Sequence, residues 1–258
     1  MPMKVGVMLP TFTERAEPAI EAARRAEAAG LHGVFAYNHI WPLGQPARPA
    51  LWPFPVLGAV AVTTSRITIG TLVARVGITP ADVLVGELAT LDELTGGRFV
   101  AGVGTGDAKS RDENLAYGLP YGPAAARRAE LGEVVGDLAA IGLTTWVGGG
   151  GAATHALARR AGATVNLWNA TPTQIAAEGV HGPVSWGGRF PAPADDPGSA
   201  PGARGAARAV ESAAALIDAL VAAGATWAVF TWPGSLDPLV LAARHAGVLL
   251  DPAPPNAA

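Results

Sequence analysis

The chain has 258 residues, of which 50% are hydrophobic and 15% charged, with a formal net charge of −3 and no cysteine. The missing cysteine excludes disulfides, thiolate metal ligands and a cysteine nucleophile, and the weak charge without a basic run argues against a nucleic-acid surface. Such a chain has ample apolar material for one large core, and a barrel of eight strand–helix units, which takes ~250 residues, would use all of it.

Short β-branched runs alternate with alanine-rich stretches of helical spacing. The opening MPMKVGVMLP reads directly into a strand (4–10) and lacks the long apolar stretch of a signal peptide, so a cytoplasmic protein is expected. A helix follows over 16–29, where Ile20, Ala23, Ala26 and Glu27 keep helical spacing and Gly30 supplies the stop. Then come GVFAY (33–37), a helix near 53–63, RITIGTLV (66–73), a helix over 81–94 ended by Gly96-Gly97, and RFVAGV (98–103). The second half continues with a helix over 124–141, TTWV (144–147), a helix over 152–161, ATVNLW (163–168), a short helix near 172–178 and GPVSW (182–186). A long helix over 205–223, TWAVFTW (226–232) and a helix over 236–245 complete eight strands and eight helices.

The most apolar region, Ala206–Trp232, is interrupted by Arg208, Glu211, Asp218 and Gly224. It reads as a buried helix and a strand rather than a span of ~20 apolar residues, so no membrane is expected. Continuous apolar strands between helices imply a parallel sheet covered on its faces. Eight repeats without an antiparallel block favour a closed α/β barrel, the (β/α)8 or TIM class, over an open Rossmann-like sheet. The Pro/Gly-rich stretches 188–204, which holds Asp195-Asp196, and 251–258 read as a mobile loop and a disordered tail, leaving one domain over 1–250.

In such a barrel the chemistry gathers where strands end. His39 follows the second strand in Tyr37-Asn38-His39-Ile40-Trp41-Pro42, placing a side chain able to exchange protons near neutral pH at that end; the alternative is a histidine bonded to a loop. Gly102-Val103-Gly104-Thr105-Gly106-Asp107 is not a dinucleotide fingerprint, and the next expected helix begins far away, at 124. Gly104 and Gly106 would instead let a flat ligand approach the backbone. Gly148-Gly149-Gly150-Gly151 runs straight into the helix that Ala152 opens, a setting in which free N–H groups attract a phosphate; the alternative is a flexible turn. Trp41, Trp146, Trp168, Trp186 and Trp232 sit at or past five strand ends and suggest an aromatic mouth for a planar ligand. The five histidines show no metal-ligand spacing, and no serine lies in a GxSxG turn.

SRITIGT (65–71) followed by ELATLDELTGGRFVAGVGTGD (87–107) resembles the bacterial luciferase-like family of flavin- and deazaflavin-dependent oxidoreductases. AAGLHGVFAYNHIWP (28–42), ENLAYGLP (113–120) and TWVGGGGAATHALARRAG (145–162) are similar to further family segments. The resemblance implies a barrel that holds coenzyme F420 or FMN, with the ring at the strand ends and the phosphate on the glycine loop. It implies that Thr71-Leu72-Val73 bulges behind the ring, often with a non-proline cis peptide. His39 would stand beside the reacting ring and Trp41 would form a wall against it. Asp107 matches an acidic residue that some members use as proton donor, and Asn38 stands where aspartate is common. The chain is shorter than usual between the 124–141 helix and the following strand.

Three readings follow. The first is an F420-dependent oxidoreductase acting on a small-molecule substrate, with a homodimer as the family expectation. The second is an FMN-dependent monooxygenase fed by a flavin reductase. The third is a barrel that binds such a cofactor without turnover.

Overall fold

The computed structural model describes residues 2–42, 44–46, 48–191 and 203–252. The strands are β1 (Lys4–Met8), β2 (Gly33–Ala36), β3 (Thr68–Thr71), β4 (Ala74–Arg75), β5 (Phe99–Gly104), β6 (Thr145–Gly148), β7 (Thr164–Trp168), β8 (Val184–Gly188) and β9 (Trp227–Phe230). The helices are α1 (Glu17–Ala28), α2 (Pro53–Thr63), α3 (Ala81–Thr95), α4 (Ser110–Ala116), α5 (Ala124–Ala140), α6 (Ala152–Arg160), α7 (Pro172–Gly179), α8 (Ala203–Ala222) and α9 (Asp237–His245). All strand pairings are parallel, in the order β3-β2-β1-β9-β8-β7-β6-β5-β4, and β3 also pairs with β5 to close the ring. β3 and β4 flank one interruption at Leu72-Val73, so they share a single barrel position. The result is the eight-fold (β/α) barrel expected from the alternation.

Local chemistry explains the elements. α1 buries Ala19, Ala22, Ala23 and Ala26 at helical spacing, and α3 stops at Gly96, whose φ of 64° suits a residue without Cβ. α7 opens with a reciprocal capping box between Thr171 and Gln174.

Two differences from the sequence reading matter. The apolar run reads as one strand to residue 73, but it ends at Thr71 and resumes at Ala74, with a cis Leu72–Val73 peptide between, the bulge that the family resemblance implies for Thr71-Leu72-Val73. Leu72 N still donates to the Ala36 carbonyl at 2.9 Å, and Thr71 Oγ1 donates to the Gly102 carbonyl at 2.7 Å. The second difference is α4, which the sequence reading did not foresee. Its entry is set by Asp107, whose Oδ1 accepts from both Ser110 N (3.1 Å) and Ser110 Oγ (3.2 Å).

The ring interior is filled rather than hollow. Phe35 stacks on Trp146 at 5.2 Å, and Trp227 meets both edge-on at 5.7 and 5.5 Å, packed among Met8, Leu72, Val100 and Val229. Glycines make that room. A Cβ on Gly33 would lie 2.7 Å from the Trp227 ring, and one on Gly70 2.8 Å from Phe35. At the far end Glu27 Oε1 accepts from the N–H groups of Ser65, Arg66 and Ile67 at 2.7–3.0 Å. Burial pushes its carboxyl up, but the three N–H groups outweigh this and hold it below the usual range. Asp251 N donates to the Gly30 carbonyl and Arg66 to that of Pro252, so the predicted tail begins tied to the barrel; residues 253–258 lie outside the described residues, as do 192–202 with Asp195-Asp196. Among the described residues no helix is long and apolar enough to cross a membrane.

Candidate active site

A cavity of about 630 Å³ opens at the C-terminal ends of the strands. The Leu72-Val73 bulge and Gly104 form part of its floor, and Gly106, Asp107 and the glycine loop Gly148–Gly151 line its side. Gly149 takes a φ of 142°, and space around Gly150 is open where a side chain would stand. α6 begins at Ala152 directly behind the loop, so its first N–H groups have no intrahelical partner. Arg128, half-buried on α5, and the exposed Arg189 after β8 bring cationic groups to the same cavity.

His39 lines the same cavity. Its Nδ1 is 2.7 Å from Glu113 Oε1, and the other carboxylate oxygen accepts from Ile40 N (2.9 Å) and Arg75 Nη2 (3.1 Å). The Glu113 side chain is 0% exposed and that of Arg75 4%. Arg75 also donates through Nε to the Asn38 carbonyl (2.8 Å) and through Nη1 to Asn114 Oδ1 (3.1 Å), while its backbone N bonds Asn38 Oδ1 (2.9 Å). Burial holds the Arg75 guanidinium below its ordinary value, and the Glu113 charge offsets this only in part. A carboxylate only accepts, so Nδ1 of His39 is the protonated nitrogen and Nε2 is left for the cavity.

An aromatic wall completes the mouth. Tyr37 stacks on Phe12 at 5.3 Å and meets Trp168 at 6.0 Å. Burial drives the Tyr37 hydroxyl well above the usual phenol range, against a smaller opposing pull from Arg189. Tyr37 is therefore a neutral wall residue.

The structure thus brings His39, Leu72, Val73, Gly104, Gly106, Asp107 and Gly148–Gly151 around one cavity. Thr71 lies behind the bulge, fully buried, and Ala152 sits at the start of α6. Asn38 is buried at the Arg75 backbone rather than along the cavity, and its Nδ2 has no partner. Trp41 packs on Tyr117 at 5.8 Å, away from the cavity lining. Of the five tryptophans expected to form a mouth, Trp168 alone lines it; Trp146 fills the ring interior and Trp186 packs under Phe230. Arg75 and Glu113 were missed as site residues. Glu113 belongs to α4, which carries no long apolar period, and Arg75 follows a bulge that hydrophobic alternation cannot show. Among the described residues no cluster of three or more acidic or histidine side chains is arranged to hold a metal ion.

A closed parallel barrel with a cavity at its strand ends, floored by a bulge and edged by a glycine loop at a helix N-terminus, defines a (β/α)8 ligand-binding barrel. The luciferase-like monooxygenase family matches residues 3–232, and the chain belongs to it. An F420-dependent glucose-6-phosphate dehydrogenase of Amycolatopsis mediterranei is 37% identical over 91 residues, which cover 34% of this chain and 27% of that protein. Its counterpart in Beutenbergia cavernae is 32% identical over 128 residues, 48% of this chain and 35% of that protein. The chain therefore spans about a third of the length of these curated relatives. Among solved structures, an F420-dependent secondary alcohol dehydrogenase with an F420–acetone adduct superposes with a TM-score of 0.72 at 16% identity, over 96% of this chain and 98% of that one. A riboflavin lyase with modified FMN and riboflavin gives 0.70 at 14%, over 98% and 94%. At such identities the likeness is one of fold.

Proposed function

We propose that the protein is an oxidoreductase dependent on coenzyme F420, transferring a hydride between the deazaflavin and a small organic substrate. The observation that carries this reading is His39: one nitrogen is locked by a fully buried carboxylate and the other is left to the cavity that the glycine loop shares. The F420-dependent relatives support the choice of cofactor. The cavity suits such a ligand in size, since small-molecule sites run from about 300 to 1,000 Å³. It also suits it in chemistry, with an apolar floor at Leu72-Val73 and open space at Gly150 for a phosphate group.

When bound, the deazaflavin would supply hydride transfer. The glycine loop, the N-terminus of α6 and Arg128 would hold its phosphate. Phe12, Tyr37 and Trp168 would shield the ring from water. His39 Nε2 would take or give the proton that accompanies hydride transfer at a substrate oxygen. Glu113, acting through Nδ1, would steady the imidazolium, and Arg75 would balance the Glu113 charge. Asp107, with Oδ1 engaged by Ser110, is the second candidate for proton transfer.

The test is an absorbance titration of the purified protein with coenzyme F420 and, separately, with FMN. Micromolar or tighter binding of F420 with weaker FMN binding is expected. Tight FMN binding without F420 binding would replace this reading with the FMN-dependent monooxygenase and its reductase partner.

A further inference from the structure

The glycine loop is held from below by a group that the chemistry above does not use. His155, one turn into α6, places Nε2 2.8 Å from the Gly149 carbonyl and Nδ1 2.8 Å from Glu178 Oε2 on α7. Both partners are acceptors only, so both ring nitrogens must donate, which only the imidazolium can do. His32 offers the contrast: its Nδ1 accepts from Val5 N while Nε2 faces the Leu249 carbonyl, which a neutral ring satisfies.

The charges around His155 leave a surplus. From α7 the group facing it is Glu178; from its own helix Arg159 donates to the other Glu178 oxygen through Nε (2.9 Å) and Nη2 (2.7 Å). α5, also packed on α6, brings Arg128 to the cavity but makes no bond to His155. One carboxylate thus faces two cations behind the loop. The Glu178 carboxyl is held below its usual range: burial pushes it up, and its bonds to Arg159 and His155 outweigh that.

We propose that protonated His155 is a positioning residue for an anion on the glycine loop. It turns the Gly149 carbonyl toward α6 and away from the ligand, and it adds a positive charge beneath the turn. The inference rests on the reading of that loop as a phosphate site. Loss of the proton removes one donor and one charge together, so anion affinity falls as pH rises.

The experiment uses sulfate, whose charge is constant between about pH 5.5 and about pH 8.5, as the probe on the full chain, with binding followed by calorimetry between those limits. Wild-type affinity is expected to fall ~10-fold across the range, the scale of a positive charge lost close beneath a partly buried anion site. His155→Gln, which keeps a donor for Gly149 but no charge, should bind at the weak level throughout. His155→Lys, which keeps donor and charge, should bind near the tight level with a flat profile. Circular dichroism checks that both variants fold. A flat wild-type profile with unchanged affinity in His155→Gln would overturn the proposal and leave the loop as an anion site. Absence of sulfate binding at every pH, in a wild-type chain that also fails to bind F420, would overturn the phosphate site itself and the proposal with it.

Discussion

Replacing Glu113 by glutamine tests the chemistry of His39 without removing any atom from the packing. Glu113 Oε2 serves two donors, Ile40 N and Arg75 Nη2, whereas Oε1 serves only His39. The glutamine carbonyl must therefore take the Oε2 position, and its NH2 falls opposite His39 Nδ1. That nitrogen can then only accept, so the imidazole proton moves to Nε2 and the cavity faces N–H instead of a lone pair. Stability suffers as well, because Arg75, 4% exposed, loses its counter-charge. Removing one partner of a buried pair costs about 3–5 kcal/mol, and the retained carbonyl keeps Glu113→Gln near the lower end, ~3 kcal/mol. For a domain of this size that is a Tm drop of about 6–12 °C, which leaves the protein folded at assay temperature. Turnover, followed as the change in F420 absorbance with an accepted substrate, should fall by ~10²–10⁴ while F420 affinity changes little. A variant with the lowered Tm but wild-type kcat would refute the orienting role of Glu113. A variant with neither change would refute the buried network itself.

His39→Ala should keep the fold and most of the F420 affinity while kcat falls at least ~10-fold, read by steady-state kinetics; normal turnover would pass the proton-transfer role to Asp107. Gly150→Asp places a carboxylate in open space beside the proposed phosphate site and should weaken F420 binding ~10-fold or more in the absorbance titration, with an unchanged circular dichroism spectrum. Glu27→Ala removes the acceptor of three N–H groups and should cost ~2 kcal/mol, a Tm drop of about 4–8 °C near neutral pH. Because the folded-state pKa of Glu27 lies below its unfolded value, the carboxylate's contribution is present above the unfolded pKa and is lost as pH falls through the folded one. The Tm gap between variant and wild type should therefore narrow in acid.

The barrel was legible because its signal is repeated: each buried parallel strand is a short apolar run, and each covering helix declares itself by spacing and a glycine stop. The glycine loop and His39 were legible for a related reason, since each follows a strand directly and inherits its place. The Arg75–Glu113 pair was not. Its members are 38 residues apart in sequence, on a two-residue strand and a seven-residue helix too short to carry a period. Asp107 shows how a local role hides: read as a proton donor by resemblance, its carboxylate also turns the chain into α4, which carries Glu113 to His39. Trp41 and Trp146 show the limit of reading strand ends by position. One residue along a strand exchanges the interior of the ring for its outside, and a side chain past the end follows the loop rather than the barrel.

The filled interior has an optical consequence. Trp146 and Trp227 lie 5.5 Å apart, rigid and buried against Phe35, whereas Trp168 is 43% exposed at the mouth. The first pair should give a strong near-ultraviolet dichroic band that disappears only when the ring itself comes apart. Trp168, in contrast, stands where a bound chromophore would quench its emission. A single preparation therefore carries two independent intrinsic reporters, one for integrity of the ring and one for occupancy of the cavity.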